Sequence, residues 1–431
     1  MHRLLLSSKT SYLKIKMKLV PLLSILLAFV ACTSATAQNV EMLMSDHNVR
    51  LAIERLKAAE PETIAEQIKI AEIPAPTFRE ERRAEYIKER FSDIGLKNVR
   101  IDKAGNVIGE RPGTDASGTL VLAAHLDTVF PEGTDVKVRR EGQLLVGPGI
   151  GDDARGLAVM LAVIRALNET RIETKQTIVF VADTGEEGLG NLRGVGHLVS
   201  EEMKGRISNF IALDASGYDL VTREIGSNRY RVTFNGPGGH SYFEFGRPSA
   251  IHALGRAIEK ISRFAVPKDP RTTYNVGRIE GGTTVNSIAQ TASMEVDLRS
   301  VSAAELSAID AKFKLAVQSA LEEENASRTD GARLTVETKL IGERPVGKQA
   351  PDAPLIQTIL AADKALGIPT NITASSTDSG MPQRFGIPSV TIGSGGIWKG
   401  MHSVGESFDT TDSYRGTQRV LAAVLSIAGI K

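Results

Sequence analysis

The chain has 431 residues, 42% hydrophobic and 24% charged, which suits two or three domains with buried cores and excludes a disordered, fibrous or disulfide-stapled mini-protein. Lys plus Arg (52) nearly equals Asp plus Glu (51), so the chain lacks the overall basic field with which nucleic-acid binders neutralise phosphates. Forty (40) glycines against 5% aromatics suit an α/β enzyme rich in tight turns better than an aromatic binding surface.

The first segment to stand out is apolar, residues 19–31, preceded by Lys14, Lys16 and Lys18 and followed by Ala35, Thr36 and Ala37. This is the layout of a signal peptide covering residues 1–37, and at about 13 residues the run is too short to span a bilayer. An exported protein, periplasmic or secreted and without a membrane span, is therefore expected. Cleavage after Ala37 removes five basic and no acidic residues and takes the net charge from +1 to 1 − 5 = −4. Met17 is an alternative start. The single cysteine, Cys32, follows Phe29-Val30-Ala31, so a lipid anchor at Cys32 is the alternative processing route. Either route leaves no thiol for catalysis and no disulfide.

Residues 49–71 read as a polar, helical entry. Residues 118–124, 176–182 and 209–213 read as buried strands, apolar throughout, and residues 156–167 between the first two carry helical spacing of Leu157, Met160, Leu161, Ile164 and Leu167. Strands alternating with helices imply a doubly covered, largely parallel sheet. From about Gly226 the pattern changes to strand (230–234), helix (249–261), strands (274–279 and 291–298), long helix (303–323) and strand (333–340). That βαββαβ order predicts a ferredoxin-like insertion. Helix 354–366, strand 389–392 and helix 415–430 then resume the first domain. The expected division is a catalytic domain over 48–225 and 341–431, interrupted by a lid or dimerisation domain over 226–340.

Chemistry-bearing residues collect where the strands end. His125-Leu126-Asp127 follows the first buried strand, Glu186-Glu187 the second, and Asp214 ends the third. Asp152-Asp153 follows a glycine run, and His402 follows the glycine-rich turn after the strand at 389–392. An open parallel sheet binds ligands at the carboxyl ends of its strands, so topology alone brings most of these groups to one edge. Taken singly, each acid reads as a helix cap or solvated turn. Their coincidence points instead to a metal site. Two His with several carboxylates suit Zn²⁺ and accept Co²⁺ or Mn²⁺, and the donor count allows two ions sharing one carboxylate. Such a pair lowers the pKa of a water and polarises a carbonyl, and one acid of Glu186-Glu187 is left over to move the proton.

These residues resemble the co-catalytic zinc exopeptidase and amidohydrolase family that includes acetylornithine deacetylase, succinyl-diaminopimelate desuccinylase, carboxypeptidase G and tripeptidase T. The likeness runs from about residue 49 to 431, and its strongest signature is Leu122-Ala-Ala-His125-Leu-Asp127-Thr-Val129. The resemblance implies a zinc-hydrolase domain with two Zn²⁺ per chain, held by His125, Asp152 as the bridge, Glu187, Asp214 and His402. It implies Asp127 as the carboxylate behind His125, a cis bond after Asp152, and Glu186 as the general base. In the lid, Gly236-Pro-Gly-Gly-His240 matches the segment whose histidine reaches the active site of the partner subunit and stabilises the oxyanion, while Asn286 and Arg299 match the pair that binds the substrate's carboxylate. A homodimer joined through the lid follows from the same likeness. The chain departs from the family's pattern at Ala154, where a lysine is common, and at Ala289, where a proline is usual. Neither position is a ligand.

The reading is thus an exported metal-dependent exopeptidase, carboxypeptidase- or tripeptidase-like, with an N-acyl-amino-acid amidohydrolase as the alternative within the family. A periplasmic solute-binding protein that keeps a two-domain cleft without chemistry is the alternative from another class. Glu186 argues against it, since a pure binder has no use for a base beside Glu187.

Overall fold

The computed structural model describes residues 38–115, 118–329 and 331–431; the expected signal peptide (1–37), with Met17 and Cys32, lies outside them. Among the described residues no helix is long and apolar enough to cross a membrane.

A nine-stranded mixed sheet is built from strands within residues 97–224 and 347–392, in the order 97–101, 107–111, 177–183, 119–125, 209–212, 389–392, 219–224, 347–348, and with 371–375 also paired to 219–224. Its centre is parallel: Thr119–His125 lies between Thr177–Asp183 and Asn209–Ala212, and Ser389–Ile392 extends the run beside Asn209–Ala212. These central strands bury both faces, which is why they read as unbroken apolar runs rather than alternating ones. Helices Ala154–Glu169 and Tyr414–Ala428 cover one face, joined to it in one core that contains Leu120, Leu122, Phe180 and Val424. Each such side chain contributes roughly 1.5–3 kcal/mol of burial. The opposite face packs on Val195, Leu198 and Met203.

The entry segment is two helices, His47–Ala58 and Glu60–Ala71, with Pro61 in the first turn of the second. The first starts where Asp46 accepts the N–H groups of Asn48 and Val49, satisfying donors that have no partner within the helix.

Between the two parts of this domain stands a separate four-stranded antiparallel sheet, in the order 272–281, 291–300, 226–235, 335–344, backed by helices Ala250–Ser262 and Ala303–Ala326. Its core is its own, with Val232, Phe234, Leu298 and Phe313 all buried. Alternation shows the half-buried sheet plainly along 291–300, where every second residue is buried. The last strand, Thr335–Arg344, runs four residues past 340, the end expected from sequence, because a bulge between Leu340 and Gly342 breaks the alternation that marked it. That extension carries Arg344 to Glu186.

Candidate active site

Three parallel strand ends and two loops build one cluster. His125 closes Thr119–His125, Glu186 and Glu187 follow Thr177–Asp183 after a two-residue turn, and Asp214 follows Asn209–Ala212. Asp152 arrives from the turn at 147–152. Its neighbour Asp153 caps helix Ala154–Glu169 by accepting the Gly156 N–H and also accepts the His125 N–H at 3.1 Å, which fastens the turn to the strand. The Asp152–Asp153 peptide bond is cis, as the resemblance implies.

Asp152 is the centre of this arrangement. Its Oδ1 lies 2.9 Å from His125 Nε2, and its Oδ2 lies 3.3 Å from His402 Nε2. His402 Nε2 is also 3.1 Å from Glu187 Oε1, and Asp214 Oδ1 is 3.9 Å from His125 Nε2. Two donor sets result, His125/Asp152/Asp214 and Asp152/Glu187/His402, each with ligand atoms within 4.8 Å of one another and with Asp152 in both. A third set, His125/Glu186/Glu187, overlaps them. All five residues expected as ligands are therefore brought together.

The electrostatics of the cluster fit a cation. Burial and the nearby Asp152 push the Asp214 carboxyl well up, and burial pushes Glu187 up to about 7. His402, hydrogen-bonded to Asp152 and Glu187, is driven up to about 10. For Asp152, burial opposes ionisation but hydrogen bonds from His125 and His402 hold its pKa low. Protons on the histidines thus balance the crowded carboxylates, which is the task that divalent ions perform when these same nitrogen and oxygen atoms act as ligands.

Asp127 is fully buried, but its carboxylate is used differently from the expectation. His125 Nδ1 meets the Asp127 carbonyl oxygen at 3.0 Å, while the nearest carboxylate oxygen is 3.7 Å away. The carbonyl thus orients the ring. The carboxylate accepts the backbone N–H groups of Glu186 and Glu187, both at 3.0 Å, and the Thr77 hydroxyl at 2.8 Å. Asp127 therefore fixes the loop that carries the base position.

Sequence reasoning missed Arg344. Its Nη1 donates to Glu186 Oε1 at 2.7 Å and to Ser376, and its Nη2 donates to the Glu186 carbonyl. The signal was an arginine at the far end of strand Thr335–Arg344, hidden by the bulge. Glu406 and Arg229 were missed too. Arg229 and Arg299 share the carboxylate of Asp297, through Nε bonds at 3.2 and 2.6 Å, and Arg229 also donates to the Gly188 carbonyl just after the Glu186-Glu187 pair.

A cleft of about 600 Å³ opens on the cluster, lined by Asp152, Glu186, Glu187, Asp214 and His402 together with Arg299 and Arg344. His240 and Asn286 are not brought there. They lie together beside the four-stranded sheet, where strand Gly239–His240 pairs with Ser287–Ile288 and the Ser241 N–H donates to the Asn286 carbonyl at 3.0 Å. Both side chains are exposed. His240 Nδ1 accepts the Tyr242 N–H at 3.2 Å.

A His/carboxylate cluster able to hold metal, at the carboxyl edge of an open α/β sheet, has the make-up of a metal-dependent hydrolase. The chain belongs to Peptidase family M20/M25/M40, matched over residues 121–426. It is 27% identical over 385 residues (85% of this chain and 98% of that protein) to the Bacillus subtilis (strain 168) protein called "Uncharacterized protein YqjE". It is 26% identical over 224 residues to carboxypeptidase G2 of Pseudomonas sp. (strain RS-16), covering 50% of this chain and 53% of that protein. In fold it is similar to a Staphylococcus aureus tripeptidase, with a TM-score of 0.71 at 24% identity over 86% of this chain and 98% of that one. The activity is that of a metallopeptidase or amidohydrolase, and nothing in these likenesses supports a solute-binding protein.

Proposed function

We propose that the chain is an exported exopeptidase that uses two metal ions, zinc in the first instance with cobalt or manganese as substitutes, to cut an amide beside a carboxylate-bearing residue. The observation that carries this reading is the pair of donor triads sharing Asp152, with Glu186 beside them and Arg299 lining the same cleft. His125 and Asp214 would hold one ion, Glu187 and His402 the other, and Asp152 both.

When bound, the ions polarise the scissile carbonyl and lower the pKa of a water. Glu186 takes the proton on its carboxylate and returns it to the leaving amine. Asp127 keeps Glu186 in place through the backbone, and Arg344 orients its Oε1. Arg299 has its Nε on Asp297, and its Nη groups would bind the substrate's carboxylate together with Asn286 of a second copy.

The βαββαβ insertion is read as a ferredoxin-like lid that also joins two copies. Its outer strand, Thr272–Gly281, has one unpaired edge and an exposed far half, a surface a twin can extend under two-fold symmetry. His240 and Asn286, remote from the cleft of their own chain, would then complete the cleft of the partner, with His240 Nε2 donating to the oxyanion. The carboxypeptidase and tripeptidase names of two relatives favour a peptide substrate. The test is a screen of di- and tripeptides against N-acyl amino acids, with zinc, cobalt and manganese each returned to metal-free protein. Turnover of peptides with a free terminal carboxylate, and none of their amides, is the expected result; equal turnover of the amides would contradict the role of Arg299.

A further inference from the structure

Glu406 stands outside the donor sets, yet it touches the turn that presents Asp152 at four points. Its Oε1 accepts the N–H groups of Gly151 at 2.8 Å and Asp152 at 3.0 Å, and its Oε2 accepts the Gly149 N–H at 3.1 Å. Its own carbonyl oxygen accepts the Gly147 N–H at 2.9 Å. The residue is fully buried, and among the described residues no Lys or Arg forms an ion pair with it. A carboxylate removed from water without a cation is costly unless hydrogen-bond donors surround it, and here the donors are three backbone N–H groups of a single turn.

That turn is shaped to offer them. Gly149 has φ +69°, a left-handed conformation that suits glycine, and a Cβ on Gly151 would sit 2.8 Å from the Trp398 ring. Successive N–H groups turned inward make an anion-binding concavity of the kind that elsewhere takes a phosphate, and here the protein's own carboxylate fills it.

The location gives the contact its meaning. The turn leaves strand Leu144–Val146, and the loop bearing His402 enters strand Ser407–Asp409; these strands pair, with Val146 opposite Ser407. Glu406 is the last residue of the His402 loop, and Asp152 is the last residue of the turn before Asp153 caps the next helix. The loop therefore holds Asp152 twice, at its carboxylate through His402 and at its backbone N–H through Glu406.

We infer that Glu406 is a positioning residue that locks the Asp152 turn and the His402 loop into one unit, so that the shared carboxylate and the histidine are presented to metal together. The inference rests on the metal reading above, and it adds that the ligands are already in place before metal arrives. A carboxylate that only satisfies a loop would affect folding; one that fixes ligand geometry affects metal affinity in a protein that still folds.

The experiment is a zinc titration of metal-free wild type and metal-free Glu406→Gln, using a competing chelator, together with backbone amide exchange on the metal-free wild type. The amide keeps the size of the side chain but points an NH₂ at the N–H groups it should accept. Affinity is expected to fall roughly 10–100-fold, the usual effect of removing a group that orients a ligand, with the circular dichroism of the metal-free variant unchanged. The Gly149, Gly151 and Asp152 amides of metal-free wild type should exchange slowly. Should the variant fail to fold, these three amides decide alone: exchange at the rate of an unstructured chain overturns the proposal. Equal zinc affinity in variant and wild type also overturns it. Absence of zinc uptake by wild type would instead overturn the metal reading beneath it.

Discussion

The cluster around Asp152 and the segment around His240 and Asn286 both carry histidine and polar side chains, and they are enclosed to different degrees. In the cluster every group has a neighbour: Asp152 meets two histidines, Asp127 holds two backbone N–H groups, and Glu406 holds three. In the segment, His240 and Asn286 are exposed, and so are Tyr242, Phe243, Phe245 and Val285 around them. Exposed aromatics gathered in six residues are unusual unless something covers them. The contrast teaches that one chain by itself encloses the His/carboxylate cluster, whereas the segment around His240 and Asn286 is left open to solvent.

The largest expected effect falls on the enclosed cluster. Chelation should abolish turnover and zinc should restore it, while His125→Ala should lose metal from its own site; elemental analysis finding no metal in an active preparation would break the account there. In the cleft, Arg299→Ala should lower kcat/KM by roughly 10–100-fold, mostly through KM, as expected for losing charge-assisted hydrogen bonds of about 1.5–3 kcal/mol. An unchanged KM would remove Arg299 from the substrate's path.

The open segment is tested by mixing. His240→Ala and Glu186→Gln should each be inactive alone. After subunit exchange, a mixed dimer has one site with its own Glu186 and the partner's His240, so about a quarter of wild-type activity should return at equal mixing if assembly is random. No recovery despite demonstrated exchange would place His240 outside the partner's chemistry. The smallest effect is on stability. Phe245→Ser, at a side chain 84% exposed in the single chain, should alter unfolding of the monomer by less than about 0.5 kcal/mol while weakening self-association measured by ultracentrifugation.

The same contrast runs through what was legible in the sequence. The buried parallel strands announced themselves as apolar runs and their ends as a row of acids and histidines, because topology puts those ends on one edge. The lid's strands and helices showed their periods, with Thr291–Ser300 and Ala250–Ser262 found within two residues. Helix Glu81–Asp93, which buries Ala84, Ile87 and Phe91 at helical spacing, and strands Lys97–Ile101, Val107–Arg111, Asp219–Glu224 and Asn371–Ser375 also escaped the sequence reading, while the shortest strands had no period to show. Strands Arg139–Glu141, Leu144–Val146, Ile397–Lys399 and Ser407–Asp409 are three residues each, too short for alternation to register. Arg344 and Glu406 carry no signature at their own positions. Each matters through a partner more than 150 residues away in sequence, Glu186 for one and the Asp152 turn for the other. Asp127 was found, but its carboxylate binds the backbone of the base loop, a use that spacing does not reveal.

The central claim is that Glu186 moves the proton and Glu187 holds metal, although the two are adjacent and both buried. Metal content and turnover measured side by side for Glu186→Gln and Glu187→Gln test it most directly. Glu186→Gln should keep the wild-type metal content and lose roughly 10²–10⁴-fold in kcat, while Glu187→Gln should lose one ion along with its activity. Two variants alike in metal content would contradict the assignment, as would a Glu186→Gln enzyme that turns over at the wild-type rate.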